Sequence, residues 1–394
     1  MNRWIILLLG ITANLAQGVA YAASVLRNPM MEDLLGITDP AAIRATWAVL
    51  FTMTLFFLPL GMLAAGRLEK ISHRLPIALG AVMFGVGVFS SGFVTDFYLL
   101  CFTFGFCLSF GSGLVYGPIV AHSVRWFPDK KGLASGLVVG ALGFGPLWIA
   151  LLCAALLDNG FTISYVLNIL GIICFLAISA ALLIPAAPQL QTTQNNTQSN
   201  DLVWTQTIRT GKFWLLFALF FLGTVPGMMV ISQASGIFQD IGKFSLSQAA
   251  GLVAVLAAAN ALGRFLWGAV SDYTGRMNAL VMMYLLSASA VIMLILPAAE
   301  NPVVLVTVII VIGTTYGGYL GLFPSFCAES FGLKNMVTNY AMLFCAFACA
   351  SLVGPRIYAS FENSATAFYI AAGFTLLGCV AALLHQTKQR RGTA

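Results

Sequence analysis

Along the chain, polar positions gather in short clusters, and the stretches between them run apolar for about 20 residues at a time. At about 1.5 Å of rise per residue, each such stretch is long enough to cross a hydrocarbon core of roughly 30 Å as a helix. The pattern predicts helices near 4–26, 45–66, 75–95, 98–121, 132–156 and 162–184, and then near 213–235, 246–269, 278–298, 303–327, 336–358 and 366–384, twelve in all. No series of alternating segments of the membrane-barrel kind is present. Between the sixth and seventh helices lies "PAAPQLQTTQNNTQSNDLVWTQTIRTGK", the one long polar tract, with too few apolar side chains to pack. The expected organisation is therefore an all-α membrane protein with a six-helix bundle at 1–186, a linker at 187–211, and a second six-helix bundle with a short tail at 212–394.

Composition agrees with that environment. The 394 residues are 60% hydrophobic and 8% charged, where a soluble domain carries roughly a quarter charged residues. The mean hydropathy is +0.93. The eight cysteines are scattered through apolar segments without CxxC or CxxxH spacing, so they read as small buried hydrophobes and not as a disulfide framework or a metal site. "MNRWIILLLGITANLAQGVAYAAS" imitates a secretory signal, but a retained first helix is the simpler account when every later segment also spans.

Charge sets the expected orientation. With the N-terminus inside, fourteen of the 19 Lys and Arg face the cytoplasm, and only Arg27, Arg44, Lys243 and Arg356 fall on the other side. This positive-inside bias predicts a multi-pass protein of the cell membrane, a bacterial inner membrane by expectation, with both termini cytoplasmic. The net charge of +6 follows from that topology. It does not indicate nucleic acid, because no basic patch with interleaved aromatics exists outside these short loops.

The two halves echo each other. "GRLEKISHR" (66–74) and "GAVSDYTGR" (268–276) both join the second and third helices of a half, each with an acid followed by a base: Glu69 and Arg74, then Asp272 and Arg276. A carboxylate in such a turn can meet helix N-terminal amides or a basic residue across the bundle, a contact suited to gating; the plain alternative is a surface turn with incidental charges. A second echo pairs "SFGSGLVYGPIVAHSVRWFPDKKGLASG" (109–136) with "TTYGGYLGLFPSFCAESFGLKNMVTNY" (314–340). Its glycines read as helix-packing positions. Tyr116, Tyr316 and Tyr319 are candidates to face a cavity, since a phenol in the apolar depth needs a hydrogen-bond partner.

Twelve helices in two halves, the polar linker and these acidic–basic turns resemble the major facilitator superfamily. "AQGVAYAASVLRNPM" (16–30), "RWFPDKKGLASGLVVGALGFG" (125–145) and "NALGRFLWGAVSDYTGRMNAL" (260–280) resemble more closely its monocarboxylate porter branch, and within it the bacterial oxalate:formate antiporter group. The likeness runs through nearly the whole chain, although Ser72 and His73 stand where the superfamily turn usually has glycine or proline. The resemblance implies a major facilitator fold of two pseudosymmetric bundles, alternating access, and a central site for a small organic anion. Animal relatives carry an aspartate four residues before the helix-8 arginine, associated with proton coupling, and Asn260 occupies that place here. The oxalate carrier has a lysine on its eleventh helix where this sequence has Phe347.

Arg264 can be weighed on its own. Eight residues before Asp272, it lies about 12 Å deeper along the helix, where a lipid-facing guanidinium costs several kcal/mol. The predicted helix cores contain no acid to neutralise it; Asp96 and Glu329 lie at helix edges. A substrate carboxylate held by two parallel hydrogen bonds supplies the missing counter-charge. Asn260, one turn away on the same face, is a second substrate-binding candidate, and Trp267 reads as packing. A single cation suits a monoanion better than a dianion, so a short monocarboxylate is preferred to oxalate, with Phe347 lining an apolar wall or simply packing. Gln17 and Tyr21, on a polar stripe with Ser24, complete the substrate-binding set. His122, near the end of helix 4, reads as a cap or interfacial residue ahead of a proton relay or a metal ligand.

No catalytic grouping, zinc-protease motif or phosphate loop is legible, so neither an enzyme nor a cofactor is expected. The expected function is secondary active transport of a small organic anion, with a proton or a counter-substrate as its coupling partner and the bilayer as its surroundings. Oxalate:formate-type exchange and a non-transporting sensor of the same fold are the alternatives. A monomer suffices, because both bundles lie in one chain.

Overall fold

The computed structural model describes residues 2–21, 23–186, 201–361 and 364–392. The chain is helical throughout: α1 Arg3–Ala16, α2 Ala23–Pro29, α3 Pro40–Phe56, α4 Leu58–Leu68, α5 Leu75–Ser91, α6 Phe97–Leu100, α7 Leu108–Trp126, α8 Lys131–Asp158 and α9 Ile163–Ser179. There follow α10 Trp204–Thr207, α11 Gly211–Asp240, α12 Leu246–Thr274, α13 Arg276–Met293, α14 Pro302–Phe331, α15 Met336–Ala359 and α16 Ser364–Gly392. Among the described residues ten helical stretches are long and apolar enough to cross a membrane, and Arg3–Val19 and Leu75–Ser91 are shorter apolar helices.

Local chemistry explains the ends and the breaks. Asp39 and Asp96 accept from the amides of Ala42 and Leu99 at 2.8 and 2.9 Å and so open α3 and α6. Ser245 and Gln248 form a reciprocal capping box at the start of α12. The second predicted helix is two pieces, α3 and α4, separated at Phe57. A π-helical stretch, Cys101–Cys107, lies between α6 and α7. The eighth helix runs one turn beyond the predicted 269 because nothing before Gly275 breaks it; Gly275 has φ +86°, a conformation that glycine adopts without strain, and it separates α12 from α13. Of the predicted linker, residues 187–200 lie outside the described residues, and α10 lies in the remainder.

The chain forms two compact units. The first comprises Met1–Pro128, Ala141–Asp201 and Gly332–Met342; the second comprises Asp129–Gly140, Leu202–Phe331 and Leu343–Ala394. Packing thus divides the molecule differently from the order of the sequence. The first turns of α8 belong with α12, because glycine lets their backbones touch: a Cβ on Gly136 would lie 2.5 Å from the Arg264 carbonyl oxygen, and one on Gly268 would strike Gly132. Within the first unit α4 and α5 pack on α7, α5 on α9, and α1 on α9. Within the second, α12 and α13 pack on α14, α13 on α16, and α11 on α16. The pairing scheme is the same in both, an internal repeat that the echoed turns hinted at. Leu151, Val303 and Leu377 are among many exposed apolar side chains, as expected of surfaces that lipid covers.

Candidate functional site

The second unit is built around Arg264. Ten residues from the end of α12, it lies about 15 Å from that end along the helix, and it is only 3% exposed. Glycines admit it on two sides. On α14 a Cβ at Gly317 or Gly321 would collide with the carbonyl oxygens of Asn260 and Arg264, and on α8 Gly136 and Gly140 face the same residue. The guanidinium donates from Nη1 to the Val139 carbonyl at 3.0 Å and from Nε to Asn260 Oδ1 at 3.3 Å. Among the described residues no carboxylate pairs with it and Nη2 meets no acceptor. The two edge acids are occupied elsewhere, Asp96 as a helix cap and Glu329 with Arg276. The result is a buried cation stabilised only by neutral oxygens, with Nη2 of its planar fork unspent. Such a group favours an anion, because the counter-charge offsets a desolvation cost of several kcal/mol.

The other substrate-binding candidates are placed variously. Tyr316 and Tyr319 share one face of α14 and pack against Gly227 and Gly223 of α11, where an added Cβ would meet their rings. The Tyr316 hydroxyl donates to Met228 Sδ at 3.3 Å, and Tyr319 is fully buried beside Tyr284, with ring centroids 5.3 Å apart. Phe347 sits in an aromatic cluster, 4.8 Å from Phe344 and 6.4 Å from Phe220 between centroids, and Phe220 in turn stacks on Phe323 at 4.2 Å. In the first unit Gln17 is buried and committed to the joint between α1 and α7: Nε2 donates to Asn14 Oδ1 at 2.8 Å, and Oε1 accepts from Ser112 at 2.7 Å. Tyr116 is buried, its hydroxyl 3.4 Å from that of Tyr340. The side chain of Tyr21 lies outside the described part of the structure.

The echoed turns hold two polar clusters. In the second unit the Asp272 carboxylate accepts from the amides of Gly132 at 2.9 Å and Leu133 at 2.8 Å, the first turn of α8. It also pairs with Arg276 at 2.7 Å. Arg276 reaches on to Glu329 at 2.9 Å and to the Ser271 hydroxyl. A carboxylate at a helix N-terminus gains from both the unsatisfied amides and the helix dipole. Beside it, Ser135 donates to the Gly321 carbonyl at 3.0 Å and lies 2.9 Å from the Ser325 hydroxyl. In the first unit Glu69 is bound by Arg125 at 2.5 Å, and Arg125 donates to the Leu333 carbonyl through Nε and Nη2, at 3.1 and 3.0 Å. Arg74, paired with Glu69 in the sequence pattern, is exposed and makes no ion pair among the described residues.

His122 corrects the sequence reading. It caps nothing: it is 2% exposed, and among the described residues neither ring nitrogen has a hydrogen-bond partner. An unsatisfied buried polar group of this kind costs about 1–3 kcal/mol. Arg125, Glu329, Ser271, Ser135 and Ser325 are the polar residues that sequence reasoning missed. Arg125 was legible only as part of "RWFPDKK", since its partners are 56 and 208 residues away in the chain.

Comparison with known proteins gives concordant results. The model of the Major Facilitator Superfamily matches residues 7–355. An oxalate:formate antiporter of Oxalobacter formigenes is 28% identical over 385 residues, covering 94% of this chain and 88% of that protein. An uncharacterized MFS-type transporter of Escherichia coli (strain K12), YhjX, is 26% identical over 355 residues, 89% of this chain and 86% of that one. Among solved structures, the human organic anion transporter MFSD10 (TETRAN) superimposes with a TM-score of 0.77 at 13% identity, over 97% of this chain and 100% of that one. That likeness is one of fold: all-α, with two pseudosymmetric helix bundles.

Proposed function

The chain belongs to the Major Facilitator Superfamily, a family of multi-pass membrane transporters, and from that premise we propose that it carries a small organic anion, specifically a short monocarboxylate, across the bilayer by alternating access. The observation that carries this reading is Arg264, a buried guanidinium with no carboxylate partner among the described residues and with Nη2 unspent. A carboxylate arriving there accepts from Nη2 and from Nη1 or Nε, in competition with the Val139 carbonyl or the Asn260 amide oxygen. Asn260 contributes a neutral amide at the same place, and Tyr316, Tyr319 and Phe347 of the same unit shape its surroundings. The names of the relatives support an anion: one carries oxalate and formate, another is an organic anion transporter. With one cation and an amide at its centre, the site favours a single negative charge, since a second uncompensated one is expensive in low dielectric.

Asp272 and Arg276, with Glu69 and Arg125, act as the gating contacts in this reading; each ties a helix end through hydrogen bonds that can be exchanged for water. Both termini face the cytoplasm, on the bias of basic residues, and one chain works alone. Exchange of oxalate for formate is the second reading, favoured by the identity to the Oxalobacter formigenes antiporter. Counterflow in proteoliposomes separates them: labelled lactate, pyruvate, formate or acetate exchanges, and oxalate competes at least about tenfold less well. Arg264→Lys keeps the charge but loses the planar fork, and uptake falls to background. Wild-type uptake in that variant, or oxalate competing as well as lactate, overturns the assignment.

A further inference from the structure

One cluster of the first unit takes no part in holding the anion. His122 of α7 lies with its Nε2 3.7 Å from Glu69 Oε1, within reach of an ion pair but beyond a hydrogen bond. His73, on the turn after α4, stands with its ring centroid 5.9 Å from that of His122 at 72°, and its buried Nε2 also has no hydrogen-bond partner. A neutral imidazole offers one donor and one acceptor, and His122 uses neither. The carboxylate it approaches is taken by Arg125.

We propose that His122, Glu69 and His73 form a proton-binding site, and that its occupation loosens Arg125 from the backbone carbonyls of Leu333 and Lys334. The charged and titratable groups about His122 are Glu69 from α4, His73 from the turn, and Arg125 from its own helix. From the segment before α15, Arg125 meets the carbonyls of Leu333 and Lys334, while the Lys334 side chain is exposed. As long as Arg125 lies against Glu69, the guanidinium opposes a second positive charge and occupies the acceptor that an imidazolium needs. When Arg125 withdraws, Glu69 is left for His122, and a proton binds more tightly. Linkage makes this reciprocal: what favours the proton in the released arrangement is the same free energy by which the proton favours release. His73, partly exposed, gives the proton a way in from water. Asn260 cannot titrate, so a proton acting on this chain needs a group elsewhere, and this cluster supplies one.

The chain has three histidines, His73, His122 and His385, few enough to follow singly by NMR of protein labelled at histidine Cε1, with His73→Gln and His385→Gln assigning signals by elimination. The His122 resonance is expected to respond to acid at a higher pH in Arg125→Gln than in the wild type, because the guanidinium then neither opposes an imidazolium nor occupies Glu69. Counterflow at equal pH on both sides should rise at least about threefold from pH 7.5 to 5.5 in the wild type and stay nearly flat in His122→Gln. A His122 signal with the same pH response in wild type and Arg125→Gln overturns the proposal, as does a wild-type pH profile in His122→Gln. The NMR titration requires no transport and no variant at His122, so it decides the matter even if that variant does not fold. It is also independent of whether Arg264 binds a monocarboxylate.

Discussion

Asp272→Asn tests the contact between α12 and the first turn of α8. The carboxylate accepts from two backbone amides, at 2.9 and 2.8 Å, and pairs with Arg276 at 2.7 Å. An asparagine keeps one acceptor oxygen, but its NH2 group then faces a backbone N–H, so one of the two amide bonds is lost. That loss, with a charged acceptor, is worth about 1.5–3 kcal/mol. Removing the negative charge from the helix N-terminus costs about another 1 kcal/mol. Arg276 retains Glu329, so its own penalty is small. The total of roughly 3 kcal/mol corresponds to more than a hundredfold shift in the equilibrium between closed and open α8 amides. Hydrogen–deuterium exchange read by mass spectrometry over residues 131–136 measures that equilibrium directly. The wild type should protect these amides, and Asp272→Asn should speed their exchange by about two orders of magnitude. Unchanged protection in the variant refutes the view that this carboxylate holds the start of α8.

Two further outcomes follow from the same geometry. Asn260→Asp places a carboxylate one turn from Arg264, where the amide oxygen already lies 3.3 Å from Nε; the new internal ion pair should weaken monocarboxylate affinity by about tenfold or more at neutral pH, with recovery as acid protonates it, read by substrate competition across pH. Gly321→Ala drives a Cβ into the carbonyl of Arg264, whereas Gly373 has open space around it; the first should lower the detergent melting temperature by the equivalent of about 1–3 kcal/mol and Gly373→Ala should not, and equal melting temperatures would refute the close approach of α12 and α14.

The sequence by itself determined where helices run and which residue is anomalous among them. Length and hydropathy suffice for this, because a segment in lipid must satisfy its own backbone hydrogen bonds, and they led to helix 8 and to Arg264 without reference to any neighbour. Hydropathy alone passed over the break at Phe57, which Pro59 in the first turn of α4 does signal, and the π-helical stretch 101–107, where nothing in the sequence marks one. Only the tertiary structure decided the partners. Glu69 looked paired to Arg74 along the chain, yet its ligand is Arg125 on another helix. Gln17 looked like a cavity residue, yet both ends of its amide are spent between α1 and α7. Phe347 is enclosed by rings from α11 and its own helix, and His122, apparently a helix-end residue, is sealed in beside Glu69 and His73. Hydropathy is a property of one segment, whereas an ion pair, an unsatisfied imidazole or an unspent guanidinium nitrogen depends on which distant segments pack together. That packing is set by glycines whose only signature is the absence of a side chain.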